Sequence, residues 1–263
     1  MTEIYLCEKP DQVKWVFGTE DDVYTKADLT SDPARFHQVE YVFSTWGMPV
    51  LSVEEIKTCL PNLKAVFYAA GTVQSFARPF LECGVKVFSA WGANAVPVAE
   101  YTVAQIILAN KGFFRTMRYT DRKWARTAFA AYPGNFDVKI GILGAGMIGK
   151  LVIEQLRDYR VEVLVFDPFL PDEKAAELGV KKATLPEIFE QCTVVSNHLA
   201  NNPQTKGMLT GELFSMMPEN ATFINTGRGA QVVEEELISV LKSRPDLFAL
   251  LDVTDPEPPR PDS

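Results

Sequence analysis

The feature that most constrains this chain is a glycine-rich stretch at residues 138–149, VKIGILGAGMIG. Its pattern predicts a buried strand that ends in G-x-G-x-x-G and runs directly into a helix. Gly144 permits a tight turn, Gly146 lets the backbone approach a pyrophosphate, and Gly149 lets the helix pack closely on the strand. The start of such a helix offers unpaired N–H groups and the positive end of its dipole to phosphate oxygens.

The residues after the glycines decide how much weight the motif carries. Apolar residues recur at helical spacing through Met147–Asp158, and Val161–Phe166 follows as a second buried strand. That strand ends at Asp167, which lies 18 positions after Gly149. The spacing is close to the roughly 20 residues expected for the acid that binds a ribose hydroxyl. The order of strand, glycines, helix, strand and acid predicts dinucleotide binding.

Two other interpretations of the glycines are weaker. A glycine-rich turn that binds nothing would leave Asp167 unexplained. A P-loop is the sharper rival, because Gly144 to Lys150 also fits G-x-x-x-x-G-K. The next residue is Leu151, where a P-loop needs the hydroxyl of serine or threonine for Mg²⁺. The P-loop is therefore excluded on chemistry.

Composition bounds the class of protein. With 263 residues, 47% of them hydrophobic, the chain can bury a substantial core and form two domains. The net charge of −8 and the absence of a Lys/Arg run argue against a nucleic-acid or anionic-membrane partner. No signal peptide is apparent. The longest apolar helical stretch, near Val96–Leu108, is interrupted by Glu100 and Gln105 and is too short to span a bilayer. The scattered cysteines are typical of a reducing compartment, so we expect the cytoplasm.

The first part of the chain alternates short strands with helices, which predicts a small α/β domain with a parallel sheet. The predicted strands are Glu3–Cys7, Tyr41–Ser44, Leu63–Tyr68 and Val85–Phe88, and the predicted helices are Val53–Leu60 and Val73–Cys83. A long helix, Val98–Met117, follows with Pro97 in its first turn. Its apolar residues are too many for a one-sided surface helix, so we expect it to lie between two domains.

The same alternation continues after the glycine motif. The predicted helices and strands are Leu185–Gln191, Thr193–Asn197, Leu209–Met217, Ala221–Asn225, Val233–Lys242 and Leu247–Leu251. Strands that alternate with helices in this way predict a doubly wound sheet, with ligands bound at the carboxyl ends of the strands. The predicted fold class is therefore α/β, with two Rossmann-like parallel-sheet domains.

Polar residues follow three of these strands, at 196–198 (SNH), 225–230 (NTGRGA) and 252–258 (DVTDPEP). The segments N-x-x-R-G and D-V-x-x-x-E-P, together with Ala70-Gly71 and the stretch Gly92–Glu100, resemble the NAD-dependent D-isomer-specific 2-hydroxyacid dehydrogenase family. The resemblance covers nearly the whole chain. It implies a smaller, flavodoxin-like substrate domain at residues 1–97 and an NAD-binding Rossmann domain at 98–263.

The activity that the resemblance implies is transfer of a hydride between NAD(H) and a small 2-hydroxy or 2-keto acid of D configuration. The family is commonly dimeric through the nucleotide domain and its long helix, so a homodimer is expected. Relatives also exist that act as NAD(H)-sensing interaction proteins in transcriptional corepression, and this alternative stays open. Metal-dependent and serine-hydrolase chemistry are not expected, because neither a His-rich ligand spacing nor G-x-S-x-G is present.

The resemblance also implies catalytic and substrate-binding residues. Arg228 matches the arginine that pairs with the substrate carboxylate and polarises its carbonyl, a task suited to a planar, permanently charged guanidinium. Glu257 matches the acid that orients a catalytic histidine and raises its pKa. The loop Ala70, Gly71 and Thr72 matches the one whose backbone N–H groups hold the carboxylate. Many members have an aspartate where this chain continues with 73–75 (VQS), which leaves the substrate open.

For the cofactor, the resemblance implies that Met147 and Ile148 meet the pyrophosphate through their N–H groups. The carboxylate of Asp167, with no arginine after it, favours NAD because it would repel the 2′-phosphate of NADP. The complete set of predicted cofactor-binding residues is Gly144, Gly146, Met147, Ile148, Gly149, Asp167, Leu199, Ala200, Thr205, Thr226, Gly227, Arg228 and Asp252.

The family's general acid is a histidine in a P-H segment that lies tens of residues beyond D-V-x-x-x-E-P. The sequence ends at Ser263, six residues after Glu257 (263 − 257), and contains no such segment. We therefore expect a truncated or partial chain with little turnover by itself, since general acid catalysis is worth roughly 10²–10⁴-fold. His198 matches a position beside the cofactor, and His37 is expected at the surface, so neither is expected to replace the missing acid.

Overall fold

The computed structural model describes residues 2–117 and 121–260. The chain divides into two compact units, Met1–Ala95 and Val96–Ser263. The sequence placed the division two residues later, between 97 and 98. Residues 118–120 and 261–263, which belong to the predicted second domain, lie outside the described part.

The first unit is built on a parallel sheet. Its strands are β1 (Glu3–Leu6), β2 (Val23–Tyr24), β3 (Tyr41–Ser44), β4 (Ala65–Tyr68) and β5 (Lys86–Ser89). They pair in the order β2-β1-β3-β4-β5. This is the flavodoxin-like order, in which the direction of winding reverses between β1 and β3. The helices are α1 (Pro10–Phe17), α2 (Lys26–Ser31), α3 (Val53–Cys59) and α4 (Ala77–Glu82), with a 3₁₀ turn at Pro33–Phe36.

Two helices of this unit, α2 and α3, begin where the sequence supplies side-chain caps. The side chains of Thr25 and Ser52 each accept a hydrogen bond from the backbone N–H three residues on. In return, the carboxylates of Asp28 and Glu55 accept from the N–H groups of Thr25 and Ser52, which completes two capping boxes. Helix α4 is shorter than the predicted Val73–Cys83. Pro79 is consistent with this later start, because proline lacks an N–H and is best tolerated in the first turn of a helix.

The long helix also differs from its prediction. Helix α5 spans Trp91–Asn110 and contains Pro97 in its interior, whereas Pro97 was expected in the first turn of Val98–Met117. A proline removes one backbone hydrogen bond of a helix without necessarily ending it. The helix ends before Gly112, whose φ of +66° is left-handed, and the short helix α6 (Phe113–Thr116) follows. Helix α5 begins in the first unit and continues into the second.

The second unit is the larger one. Its strands are β6 (Phe136–Leu143), β7 (Arg160–Phe166), β8 (Lys181–Lys182), β9 (Val194–Asn197), β10 (Thr222–Asn225) and β11 (Phe248–Leu251). They are parallel and follow the order β11-β10-β9-β6-β7-β8, which is the Rossmann order 6-5-4-1-2-3 when numbered within the unit. The helices are α7 (Arg122–Phe129), α8 (Met147–Leu156), α9 (Asp172–Leu178), α10 (Leu185–Gln191), α11 (Gly211–Met216) and α12 (Glu234–Ser243).

Two buried clusters cover the faces of this sheet, one around Ile140 and Val152 and the other around Phe189 and Phe223. The predicted α/β fold with two parallel sheets is confirmed. The carboxyl ends of β6, β7, β9, β10 and β11 lie along one edge of the second sheet. Among the described helices, none combines the length and the apolar character needed to cross a bilayer.

Candidate functional site

The glycine turn joins β6 to α8, and two of its glycines are required by the fold itself. Gly144 has a φ of +93°, and its N–H donates to Phe166 O at 2.8 Å. A Cβ on Gly144 would lie 2.8 Å from the carbonyl oxygen of His198. A Cβ on Gly149 would lie 2.0 Å from Gly144 O. Only glycine therefore allows the turn to rest on the end of β9 and α8 to pack against the turn.

Gly146 is different, because a Cβ at this position would clash with no described protein atom. Gly146 is the N-cap of α8 in extended backbone, and a Cβ built there meets no described heavy atom within 4 Å. Within the described residues, no side chain caps the N–H groups of this helix. Open space beside uncapped N–H groups at a helix start fits a bound phosphate. The turn thus fits the pyrophosphate of a dinucleotide, which the N–H groups of Met147 and Ile148 would hold.

Asp167, at the end of β7, ties its own strand to the glycine turn. Its Oδ2 accepts from Ala145 N and its Oδ1 accepts from Phe169 N, each at 2.8 Å. An ionised carboxylate has about four acceptor positions, so both oxygens can still accept further hydrogen bonds. The carboxylate can therefore shape the turn and bind ribose hydroxyls at the same time.

Three buried amides connect the ends of β9 and β10, and we call Asn197, Asn225 and Gln231 the amide triad. Asn197 Nδ2 donates to Asn225 Oδ1 at 2.9 Å and to Gln231 Oε1 at 2.6 Å. The three side chains are 0%, 1% and 0% exposed, respectively. Buried amides are stable only when their donors and acceptors are paired, which the triad achieves internally and with nearby backbone.

The segment after β9 carries three of the predicted cofactor-binding residues. Gln231 Nε2 donates to Leu199 O at 2.8 Å and to Ala200 O at 3.0 Å. Thr205 Oγ1 donates to Ala200 O at 2.6 Å, and Asn202 Oδ1 accepts from Thr205 N at 3.0 Å. The side chain of Thr205 thus closes the loop. Leu199 is buried and Ala200 is exposed.

Arg228 lies in the loop after β10. The residue is exposed and its backbone is extended. Its Nη1 donates to Gly227 O at 2.7 Å, and its carbonyl oxygen accepts from Asn225 Nδ2 at 3.1 Å. A Cβ on the next residue, Gly229, would lie 2.0 Å from the carbonyl carbon of Thr254. The Arg228 loop therefore packs, backbone to backbone, against the segment that follows β11.

The other predicted residues at this edge of the sheet differ in their exposure and in their hydrogen bonds. Thr226 is buried, and its Oγ1 lies 3.3 Å from Thr102 Oγ1 on α5. Asp252 is exposed, and its N–H donates to Asn225 O at 3.0 Å. Glu257 is exposed, and within residues 2–117 and 121–260 its carboxylate makes neither a hydrogen bond nor an ion pair. The role that the resemblance implies for Glu257 stays a prediction.

His198 supports the glycine turn through its backbone. Its N–H donates to Leu143 O at 2.7 Å, and its carbonyl faces Gly144. Its Nε2 lies 2.9 Å from Ser196 Oγ, and burial lowers the pKa of His198 to about 4. The ring is therefore neutral near pH 7. His37, by contrast, is exposed, and its Nε2 lies 3.1 Å from Thr58 O.

The predicted substrate loop, Ala70, Gly71 and Thr72, follows β4 in the first unit. Ala70 is buried, and Ser89 Oγ donates to the carbonyl oxygens of both Ala70 and Gly71. Thr72 is exposed, and its Oγ1 accepts from Gln74 N at 3.5 Å. The end of β5 thus fixes the loop at the carboxyl edge of this sheet.

The amide triad was not predicted as a unit. The sequence pointed to the polar end of β9 and to Asn225, but Gln231 received no role. Gln231 stands in a run of small and apolar residues, 229–233 (GAQVV), where a buried amide is unusual. A polar residue at such a position is the signal that could have identified it.

The Rossmann strand order, the glycine turn with its uncapped helix start, and Asp167 define a dinucleotide-binding protein. The chain belongs to the D-isomer-specific 2-hydroxyacid dehydrogenases. The profile described as "D-isomer specific 2-hydroxyacid dehydrogenase, NAD binding domain" matches residues 103–263, which is more than half of the chain. The resemblance stated from the sequence is confirmed, and so is NAD as the cofactor.

The curated relatives include several D-3-phosphoglycerate dehydrogenases. That of Bacillus subtilis is 32% identical over 179 residues, which are 67% of this chain and 34% of that protein. The human protein is 32% identical over 178 residues, 67% of this chain and 33% of the relative. The chain thus spans about a third of the length of these relatives.

Solved structures share the fold. D-lactate dehydrogenase from Escherichia coli, in its apo form, has a TM-score of 0.71 at 24% identity, covering 96% of this chain and 82% of that one. The holo form of D-mandelate dehydrogenase from Rhodotorula graminis has a TM-score of 0.75 at 19% identity, covering 98% and 83%.

Proposed function

We propose that this protein is an NAD-dependent dehydrogenase that interconverts a small 2-hydroxy acid of D configuration and the corresponding 2-keto acid. The observation that carries the proposal is Arg228. Its guanidinium is exposed at the same sheet edge as the glycine turn, on a loop that Asn225 and Gly229 hold in place. A fixed, permanently charged fork beside a dinucleotide site suits an anionic substrate.

Each residue contributes a distinct part of the chemistry. NAD, when bound, accepts or supplies the hydride. Arg228 binds the substrate carboxylate and draws electron density from the carbonyl oxygen, which stabilises the charge that develops there. Met147 and Ile148 hold the pyrophosphate, and Asp167 binds the ribose. We assign carboxylate binding also to the Ala70–Thr72 loop, and orientation of the general acid to Glu257.

The family supports three finer assignments that we include in the proposal. The D configuration follows the description of the family. A homodimer follows the assembly that the resemblance implies. The cytoplasm is supported by Cys7, Cys59, Cys83 and Cys192, all of them within the described residues and all free thiols.

The first experiment measures substrate binding separately from turnover. Oxamate, a stable isostere of pyruvate, is titrated into the NADH complex while NADH fluorescence is followed. Because oxamate binding needs no proton transfer, the result does not depend on a general acid. Arg228→Ala should weaken oxamate binding at least about 100-fold, since two charge-assisted hydrogen bonds of about 1.5–3 kcal/mol each are lost. Arg228→Lys should weaken it about tenfold, because the charge remains without the fork.

Arg157→Ala serves as the matched control. Arg157 is also exposed in the second unit, but it donates to Glu177 O at 3.0 Å, away from the sheet edge. It should leave the affinities for NADH and oxamate unchanged. NADH oxidation is then followed with pyruvate, glyoxylate and hydroxypyruvate. Tight NADH binding with no response to oxamate or to any 2-keto acid would contradict the proposal and favour the NAD(H)-sensing class.

A further inference from the structure

The amide triad lies between two segments of the candidate site, Leu199–Ala200 and the Arg228 loop, and forms hydrogen bonds to the backbone of both. We infer that Gln231 is a positioning residue which, through Asn197 and Asn225, sets the Leu199–Ala200 backbone and the Arg228 loop in a single arrangement. The part that concerns the Leu199–Ala200 backbone bears on NAD binding, whereas the part that concerns Arg228 rests on the proposed function.

The cofactor side of the arrangement depends on one amide group. Gln231 Nε2 has two hydrogens and donates to two consecutive carbonyls, Leu199 O at 2.8 Å and Ala200 O at 3.0 Å. The same Leu199 is held from its other side, because its N–H donates to Asn197 Oδ1 at 3.2 Å. The backbone at this point is thus fixed by two side chains that also bond to each other.

The substrate side begins at Asn225. Its Oδ1 accepts from Asn197 Nδ2 at 2.9 Å and from Gly227 N at 3.1 Å, while its Nδ2 donates to Arg228 O at 3.1 Å. Asn225 therefore closes the turn that presents Arg228. Asn197 connects this turn to Gln231 with the two hydrogens of a single amide group.

The pairing permits only one orientation of each amide. Both hydrogens of Gln231 Nε2 and both hydrogens of Asn197 Nδ2 are used, and the oxygens of all three amides accept. A flipped amide would place N–H against N–H and oxygen against oxygen. Since the triad is buried, water cannot repair such a mismatch, and the two loops are held in one relative arrangement.

A second buried amide in the same unit provides the control. Asn110, which is 2% exposed, donates from Nδ2 to Asn135 Oδ1 at 3.0 Å and accepts from Thr193 Oγ1 at 2.7 Å. Thr193 precedes β9, whereas Asn197 ends it, so Asn110 lies near the opposite edge of the sheet. Its loss should destabilise the fold without reaching the Leu199–Ala200 backbone.

The experiment compares Gln231→Met with Asn110→Leu, two substitutions that keep side-chain size and remove the amide. Urea unfolding measures stability, hydrogen exchange of the apo protein measures protection of residues 198–206 and 226–231, and fluorescence titration measures NADH affinity. Gln231→Met should raise exchange in both segments and increase the Kd for NADH about tenfold. Asn110→Leu should leave both within about twofold, even when it costs comparable stability.

The coupling to Arg228 is measured by a double-mutant cycle on oxamate binding to the NADH complex. If Gln231 acts on oxamate by positioning Arg228, then Gln231→Met should have less than half of its effect once Arg228→Ala is present. Additive effects would overturn that part of the inference. Equal increases in the Kd for NADH in Gln231→Met and Asn110→Leu would overturn the cofactor part. If the wild type binds NADH but no oxamate, the proposed function fails, while the exchange and NADH measurements still decide the role of Gln231.

Discussion

Gly146→Ala separates the requirements of the ligand from those of the fold. The added methyl group enters the open space at the start of α8, where no described atom lies within 4 Å. The backbone there is extended, with φ −70° and ψ −161°, so alanine is accommodated without strain. The substitution should therefore act on the bound pyrophosphate and leave the apo protein almost unchanged.

The expected change in stability is small because two effects offset each other. Replacing glycine at a compatible backbone position stabilises by about 0.4–1 kcal/mol through the unfolded chain. Alanine is a poorer N-cap than glycine, which costs a similar amount. The effect on affinity is larger. Loss of one charge-assisted hydrogen bond to the pyrophosphate costs about 1.5–3 kcal/mol, which weakens NADH binding roughly 10- to 100-fold.

The assay pairs NADH fluorescence titration with urea unfolding of the apo protein, and Gly144→Ala is the matched control. At Gly144 the φ of +93° and a Cβ 2.8 Å from His198 O demand a loss of stability of more than about 1–2 kcal/mol. Gly146→Ala should thus lose NADH affinity and keep its stability, whereas Gly144→Ala should lose stability. Wild-type NADH affinity in Gly146→Ala would refute the placement of the pyrophosphate, and a large loss of stability would show that the fold itself needs this glycine.

Three further predictions concern single residues. The pKa of His198 is about 4 in the folded chain against about 6.5 when unfolded, so unfolding takes up a proton between these two pH values. The free energy of unfolding should therefore fall as the pH drops through that window, by up to about 1.4 kcal/mol per pH unit. Urea unfolding should show a shallower pH dependence of this free energy in His198→Gln. Gly141→Ala places a Cβ 2.3 Å from Ile188 Cγ2 and should cost about 1–3 kcal/mol in thermal unfolding, with part of the loss recovered in the double variant with Ile188→Ala. Asp167→Asn should raise the affinity for NADPH relative to NADH, measured as the ratio of the two Kd values, and an unchanged ratio would contradict the assigned role of the carboxylate.

The sequence predicted five of the six described strands of the second sheet because their signals are local, and it missed the two-residue strand β8 and helix α9. Buried strands such as Val161–Phe166 read as apolar runs, and the glycine turn combines a residue pattern with a defined spacing. The helices of the first unit were harder to predict. The helices Pro10–Phe17 and Lys26–Ser31 were not predicted, because each buries few side chains, such as Val13 and Leu29, and depends on packing against the sheet.

The error at α5 has a different origin. Pro97 was interpreted by its preference for the first turn, but the helix begins at Trp91 and continues through the proline. The hydrogen bonds that join the amide triad could not be predicted, because its members come from separate segments and meet only when β9 and β10 pair. The secondary-structure propensity of each segment carries no information on this tertiary contact.

The dependence of Gly144 on His198 also bears on how the protein folds. The two residues are 54 positions apart (198 − 144), and they meet because β6 pairs directly with β9 across the intervening helices. Contacts between distant segments form late, because the entropy of closing the long loop must be overcome first. The nucleotide turn should therefore reach its native conformation only after the transition state for folding. Because NADH binds the native turn, it should slow unfolding and leave the refolding rate nearly unchanged. In stopped-flow experiments the ligand would then act only on the unfolding limb of the chevron.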